Sequence, residues 1–483
     1  MKKRVVRKLG LWVLPVVSMG ILLTALPVIA EVYDVVILNG RVMDPESNLD
    51  SVRNMGISKG TIKAITTEAL EGNLKIDARG LIVSPGFIDI HVHLLPGQDQ
   101  INFAVKATDG VTTALDLEAG TEDVDRWYAM REGKAIINYG ASASHAGARM
   151  IVMKDPGPMF PTGDAAKRTA TESEIGGIKQ QIEQGLDRGA IGIGLLLAYT
   201  PAATREEILE IFRTANKFNA PCYVHIKSIY FESLQEVIEA ADATRGPLHV
   251  VHINSVALKN TPKFLQAVSE ARSRGLDVTT ECYPYTAAAT GLESALFNEG
   301  WQQTLGITCK DLEWAATGER LTEETFKAYR QKGGIVIMHM MTEDMIQFAL
   351  KNPLTIVASD SLLMGGKGHP RSTGTFSRVL GQYVREKKTL TLMEALRKMT
   401  LMPAQRLEGR VPAMKNKGRI RIGADADITV FDPKKVIDKA TFKEPTKYSE
   451  GISYVLVNGV PVIKDSQLLT GVTPGKPIRT GVK

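Results

Sequence analysis

Gly86-Phe87-Ile88-Asp89-Ile90-His91-Val92-His93 is a short apolar run that ends on two alternate histidines. Side chains of a strand alternate between faces with period 2, so His91 and His93 share a face and can meet one metal ion. A His-x-His pair is weak by itself, since two such residues also occur as ordinary core. The other histidines strengthen it. The chain has eight, and most close a strand-like run: His145 after Ala-Ser-Ala-Ser, His225 in Cys-Tyr-Val-His, His249 and His252 in Leu-His-Val-Val-His.

Outward from that run, apolar strand candidates recur at 86–93, 112–118, 136–144, 190–197, 221–227, 248–254, 277–283 and 354–360. Helical stretches, several opened by Ser, Thr or Asp caps, lie between most of them. Eight such units predict an α/β fold, a (β/α)8 TIM barrel over 85–417, with its chemistry at the C-terminal strand ends where the histidines fall. An extra apolar run at 334–341 precedes the eighth candidate, and its place is open. Residues 361–380, rich in Gly, Ser and Thr, read as a long loop or lid.

Period-2 alternation with Asn-Gly and Lys-Gly turns marks both flanks, 31–84 and 418–483. The two together predict one small β-sandwich built from both ends of the mature chain. Residues 1–30 read as a secretory signal, with Lys2, Lys3, Arg4, Arg7 and Lys8 ahead of an uncharged apolar stretch at 9–29. Cleavage after Ala30 is expected, giving an exported, periplasmic or secreted protein; an uncleaved stretch would anchor it to the membrane.

Without that segment 54 basic residues face 53 acidic ones, a formal charge of +1 in place of +6. The balance gives no ground for a nucleic-acid partner. Cys222, Cys282 and Cys309 match no cysteine-based zinc spacing and read as buried apolar residues.

A catalytic metal needs ligands converging from several strands. The candidates are His91 and His93 from strand one, Asp116 or Glu118 from strand two, His225 from strand five and His252 from strand six. Glu118 is favoured over Asp116 because it lies nearer the strand end. Asp360 follows the apolar Thr355-Ile356-Val357-Ala358-Ser359 and could hold water and take its proton. His249 reads as a core or supporting residue; His145 and His339 read as pocket-lining.

Pro85-Gly86-Phe87-Ile88-Asp89-Ile90-His91-Val92-His93, the divided β domain and Asp360 together resemble the metal-dependent amidohydrolase superfamily. Gly110-Val111-Thr112-Thr113, Ala198-Tyr199-Thr200-Pro201-Ala202, Tyr283-Pro284-Tyr285-Thr286-Ala287, Gly368-His369-Pro370-Arg371 and Gly423-Ala424-Asp425-Ala426-Asp427 resemble its N-acyl-D-amino-acid deacylase branch. The resemblance implies that His91, His93, His225 and His252 bind Zn2+, as one or two ions, and that Asp360 is catalytic. It implies further that Tyr199, Tyr283 or Tyr285, and Arg371 hold a substrate carboxylate, Arg371 by its planar fork.

Two positions depart from that branch. Leu117-Glu118-Ala119-Gly120 stands where it carries a cysteine ligand, so Glu118 is expected to replace the thiolate. Asn254 stands where it usually has lysine, and Lys227 could compensate. No lysine occurs in 190–197, which argues against a carbamylated-lysine bridge. The expectation is a hydrolase of small N-acylated amino acids, with His145 or a tyrosine steadying the oxyanion. A dipeptidase, cyclic-amide hydrolase or lactonase on the same metal site, or a binding protein that has lost catalysis, are the alternatives.

Overall fold

The computed structural model describes residues 1–5, 8–10, 31–157 and 159–482. Most of the expected signal segment therefore lies outside the described residues. Among the described residues no helix is long and apolar enough to cross a membrane.

Eight parallel strands form the barrel, and each falls on one of the eight apolar runs. In wall order they are Phe87–Asp89, Val111–Thr121, Asn138–Ser144, Ile193–Leu196, Cys222–His225, Leu248–Val250, Val278–Cys282 and Thr355–Val357, numbered one to eight below. Strands eight and one meet at their ends, where the His93 N–H donates to Ser361 O at 2.8 Å and the Ser361 N–H donates to His91 O at 3.3 Å. The interior is packed rather than hollow: Ile88, Leu115, Leu117, Tyr223, Val251 and Ile356 form one buried cluster. Helices between the strands start on side-chain caps, as Thr171 with Glu174 before Glu172–Asp187 and Thr204 before Arg205–Phe218.

Both flanks join in one β domain, as expected, built on a mixed sheet of nine strands. Its centre is the 13-residue strand Val32–Asp44, which pairs with Leu49–Ser58 on one side and with Glu71–Asp77 and Ile82–Pro85 on the other. Ile428–Phe431 from the C-terminal flank then pairs antiparallel with Ile82–Pro85. That pairing anchors the segment leading straight into strand one.

The run at 334–341 is not part of the barrel wall. Ile335–His339 pairs with Ala287–Gly291 and Leu312–Trp314 in a four-stranded antiparallel sheet inserted between strands seven and eight. The expected loop at 361–380 is more ordered than its composition suggested. It holds a short hairpin, Leu363–Met364 with Lys367–Gly368, and the helix Arg371–Arg378.

The strand-one end is fixed by a buried ion pair. Lys106, on the helix Asp99–Thr108, is fully buried with Nζ 3.0 Å from Asp89 Oδ2 and 2.7 Å from Ser359 Oγ. Asp89 Oδ1 in turn accepts the Ser359 N–H at 3.0 Å. Replacing Lys106 by Met keeps the bulk and leaves Asp89 an unpaired buried carboxylate, which should lower stability by about 3–5 kcal/mol. A urea unfolding midpoint equal to that of the parent would show that Asp89 needs no cation.

Candidate metal centre

Glu118 stands at the middle of the strand ends. Its Oε2 lies 3.2 Å from His91 Nε2 and 3.3 Å from His93 Nε2; its Oε1 lies 2.9 Å from His225 Nδ1 and 3.0 Å from His252 Nε2. Asp360 Oδ1 joins the first group, 3.2 Å from His93 Nε2 and 3.5 Å from His91 Nε2. The donors thus fall into two groups, His91, His93 and Asp360 against His225 and His252, with one carboxylate facing both.

Local backbone features make this convergence possible. Strand two breaks register with strand three between Asp116 and Thr121, which carries Glu118 inward. Gly194 of strand four permits it, because a Cβ there would lie 2.2 Å from the Glu118 carbonyl oxygen. His252 and Asp360 follow their strands in the left-handed region, at φ 30° and 52°. Such strain in non-glycine residues persists only where the surroundings enforce it, and here it marks two of the converging residues.

The alternative strand-two ligand, Asp116, is engaged elsewhere. Its oxygens accept the Leu94 N–H at 2.9 Å and the Gly120 N–H at 3.1 Å, fixing the segment after strand one and the last residues of strand two.

A residue not singled out in the sequence supports the cluster. Glu281 on strand seven bonds His91 Nδ1 through Oε1, and its Oε2 lies 3.0 Å from His249 Nε2. Burial would raise its pKa, but His91 and His249 outweigh this and hold it well below the usual carboxylate range. His249, whose Nδ1 lies 2.7 Å from Thr279 Oγ1, is therefore a support and not a member of the cluster. A carboxylate inside the apolar run 277–283 was the available signal. Its direction across the barrel was not readable from one strand.

The residues fit a metal. The carboxylates leave one imidazole nitrogen unsatisfied: His91 Nε2 is buried and makes no hydrogen bond, although Glu118 Oε2 lies 3.2 Å away. Imidazole nitrogens with carboxylate oxygens are a donor set for zinc and other divalent first-row ions. Burial pushes the Glu118 carboxyl up, but His91, His225 and His252 pull it well below its ordinary value. At Asp360 burial is likewise outweighed, here by Arg371 and His91.

The remaining expected residues divide. A cavity of about 1620 Å3 opens onto the cluster and is lined by His93, Glu118, His225, His252, Asp360, Tyr199 and Lys227, among others. Tyr199 stands edge-on to His225, and its hydroxyl lies 2.6 Å from Thr290 Oγ1 of the inserted sheet. Lys227 pairs with Glu236 at 2.9 Å. Arg371 lies behind Asp360, fully buried, with Nη2 2.8 Å from Asp360 Oδ2 and its guanidinium 4.5 Å above the Tyr283 ring; Nε and Nη1 have no partner.

Tyr285 turns away from the site, its hydroxyl donating to Asp438 at 3.1 Å. His145 does not line the cavity either. It is fully buried with Nε2 2.8 Å from Glu207, beside Arg149, as the first residue of the helix His145–Met153 that follows strand three directly. His339 pairs with Glu313 inside the inserted sheet.

The sequence profile of the amidohydrolase family matches residues 75–463. The chain belongs to the amidohydrolase family. Relatives of this amidohydrolase include the D-aminoacylase of Alcaligenes xylosoxydans xylosoxydans, 29% identical over 494 residues covering 92% of this chain and 98% of the relative. The N-acyl-D-glutamate deacylase of the same organism is 29% identical over 482 residues, 89% of this chain and 94% of that one. Among solved structures, the N-acyl-D-glutamate deacylase of Bordetella bronchiseptica, complexed with zinc and a phosphonate mimic of the tetrahedral intermediate, superposes with a TM-score of 0.80. It is 27% identical and matches 93% of this chain and 100% of its own.

For this amidohydrolase, Glu118→Gln should reduce bound zinc after dialysis, read by plasma emission; an unchanged count would make Glu118 a packing residue. Glu281→Gln keeps the shape and removes the charge beside His91, and should weaken zinc affinity about 10–100-fold in competition with a chelator. Parent-like affinity would contradict its supporting role.

Proposed function

We propose that this amidohydrolase cleaves the amide bond of N-acyl amino acids, with N-acyl-D-amino acids as the first candidates. The observation that carries the reading is the shared carboxylate Glu118 between two histidine groups with Asp360 beside them. The deacylases among its relatives support the choice of substrate class. His91, His93, Glu118, His225 and His252 would hold zinc, as one or two ions, and the bound metal would supply Lewis acidity toward water and a carbonyl.

The chain's own residues do the rest. Asp360, held ionised beside Arg371, takes the proton of the attacking water and returns it to the leaving nitrogen. Tyr199, at the cavity wall next to His225, is assigned to the substrate carboxylate. Arg371 and Lys227 are assigned to the substrate carboxylate, Arg371 because its buried Nε and Nη1 are unpaired. We infer export as well, supported by the basic residues 2–8 ahead of the apolar stretch at 9–29.

Asn254 favours a second reading. It is fully buried, its Nδ2 donates to Tyr283 O at 3.2 Å, and its Oδ1 has no partner, so no cation stands at this point. The same hydrolytic chemistry on a dipeptide, a cyclic amide or a lactone needs no second cation there.

Zinc-loaded protein assayed for amine release on paired N-acyl-D- and N-acyl-L-amino acids should turn over D-substrates. Asp360→Asn should cut kcat at least 10²- to 10⁴-fold, the usual share of general acid–base catalysis, with zinc retained. No turnover on any member with zinc bound would shift the reading to dipeptides, cyclic amides and lactones. Arg371→Lys should raise KM far more than it lowers kcat. A fall in kcat alone would make Arg371 a positioning residue for Asp360.

A further inference from the structure

The cavity that opens onto the candidate metal centre, about 1620 Å3, exceeds the roughly 300–1,000 Å3 usual for a small-molecule site. An acetylated amino acid would leave most of it empty. Its lining beside the cluster is apolar. Ala119 follows Glu118, and the Tyr199 ring stands edge-on to His225; both belong to a small apolar cluster with Leu196, Ala198, Phe160 and Leu296. Ala119, Phe160 and Leu296 are only half-buried and line the cavity, so apolar surface next to the donors is open to a ligand.

This wall is firmly built. Phe160 stacks on Tyr199 with ring centroids 4.9 Å apart. It also packs over Gly291 of the inserted sheet, where a Cβ would lie 2.6 Å from the ring. Its loop is tied down by Asp155, whose oxygens accept the N–H groups of Gly157, Thr162, Gly163 and Ala165 at 2.8–3.0 Å. The inserted sheet adds a second apolar surface. Ala288 is the register partner of Met338, so the two share a face, and both line the cavity together with Met340. Methionine side chains adapt to flexible apolar ligands.

Among the described residues, charge stands away from this wall. Lys227, after strand five, pairs with Glu236 at 2.9 Å. The other lysine and arginine residues of the lining, Arg126, Arg131, Lys154 and Arg188, stand on or just after the helices Val124–Ala129, His145–Met153 and Glu172–Asp187. Beyond Leu296 the apolar lining continues on Trp301, Leu305 and Ile229. The methyl of an acetyl group would leave this surface wet, whereas an unbranched hydrocarbon chain covers it. Such chains belong to acyl groups and not to the side chains of common amino acids.

We propose that the substrate is an N-acyl amino acid whose acyl group is a long unbranched chain, of the octanoyl-to-lauroyl class, seated on the wall formed by Phe160, Leu296 and Met338. The inference rests on the amide-hydrolase reading above. Hydrolysis breaks the C–N bond, releases the fatty carboxylate and the free amino acid, and passes the proton of the attacking water through Asp360 to the leaving nitrogen.

Two measurements separate the inference from the reading on which it rests. The first is amine release by the zinc-loaded protein from N-acetyl-, N-hexanoyl-, N-octanoyl- and N-decanoyl-alanine, each as D and L, with N-acetyl-leucine and N-acetyl-phenylalanine as the side-chain arm. For the accepted enantiomer, kcat/KM should rise about 2- to 4-fold per added methylene, the scale of burying one CH2 group. The decanoyl compound should exceed both side-chain substrates. Turnover of the acetyl compounds with a flat or falling acyl series would overturn the inference and leave the deacylase reading intact. The second measurement needs no turnover: calorimetric titration with sodium acetate, hexanoate and decanoate should show affinity climbing with chain length. Equal affinities would overturn the inference, and a climbing series without amine release from any substrate would support the long-chain wall while overturning the deacylase reading. Leu296→Ser should lower the ratio of decanoyl to acetyl kcat/KM roughly tenfold or more, since part of the apolar cover is lost. That ratio is internal to each protein, so poor folding of the variant does not mimic the result, and an unchanged ratio would overturn the assignment of the wall.

Discussion

One carboxylate holds the functional end of this molecule together. Glu118 faces four imidazoles from strands one, five and six, one oxygen toward each group of donors. Around it, the fold answers an electrostatic demand: several potential ligands must be brought within bonding distance without repelling or hydrating one another. The barrel meets that demand because its strand ends point to one place. Short apolar strands supply the framework, and the strained residues His252 and Asp360 complete it.

The supporting layer is as organised as the cluster. Glu281 ties His91 to His249, and the Lys106–Asp89–Ser359 group locks strand one to strand eight just below His91 and Asp360. Buried charges of this kind are tolerated only when each has its partner, and here each partner comes from a different strand or helix. The same logic explains why the inserted sheet matters. Through Thr290 it holds Tyr199, and with Met338 and Met340 it forms part of the cavity wall above the candidate metal centre.

Much of this was legible in the sequence, and the reason is periodicity. Each barrel strand is a brief apolar run, and the strand-end histidines announced themselves by position. His91, His93, Glu118, His225, His252 and Asp360 do converge. What the sequence left dark depended on direction. Tyr283 and Tyr285 are two residues apart in one segment, yet one stacks under Arg371 and the other turns to Asp438. His145 closes a strand-like run as His225 does, but it begins a helix whose first turn is buried against Glu207. Glu281 looked like an ordinary strand residue because its partners, His91 and His249, are distant in sequence. The run at 334–341 has strand character but pairs antiparallel outside the barrel, and only pairing partners, not composition, could separate it from the wall.

The central claim is that Glu118 is the ligand shared by two neighbouring metal positions. Anomalous diffraction at the zinc edge from crystals of the zinc-loaded protein tests it most directly. The account predicts zinc coordinated by a Glu118 oxygen together with His91 and His93, or with His225 and His252, and with Glu118 between the two sites when both are filled. Zinc bound by the histidines with Glu118 outside its coordination sphere would contradict it.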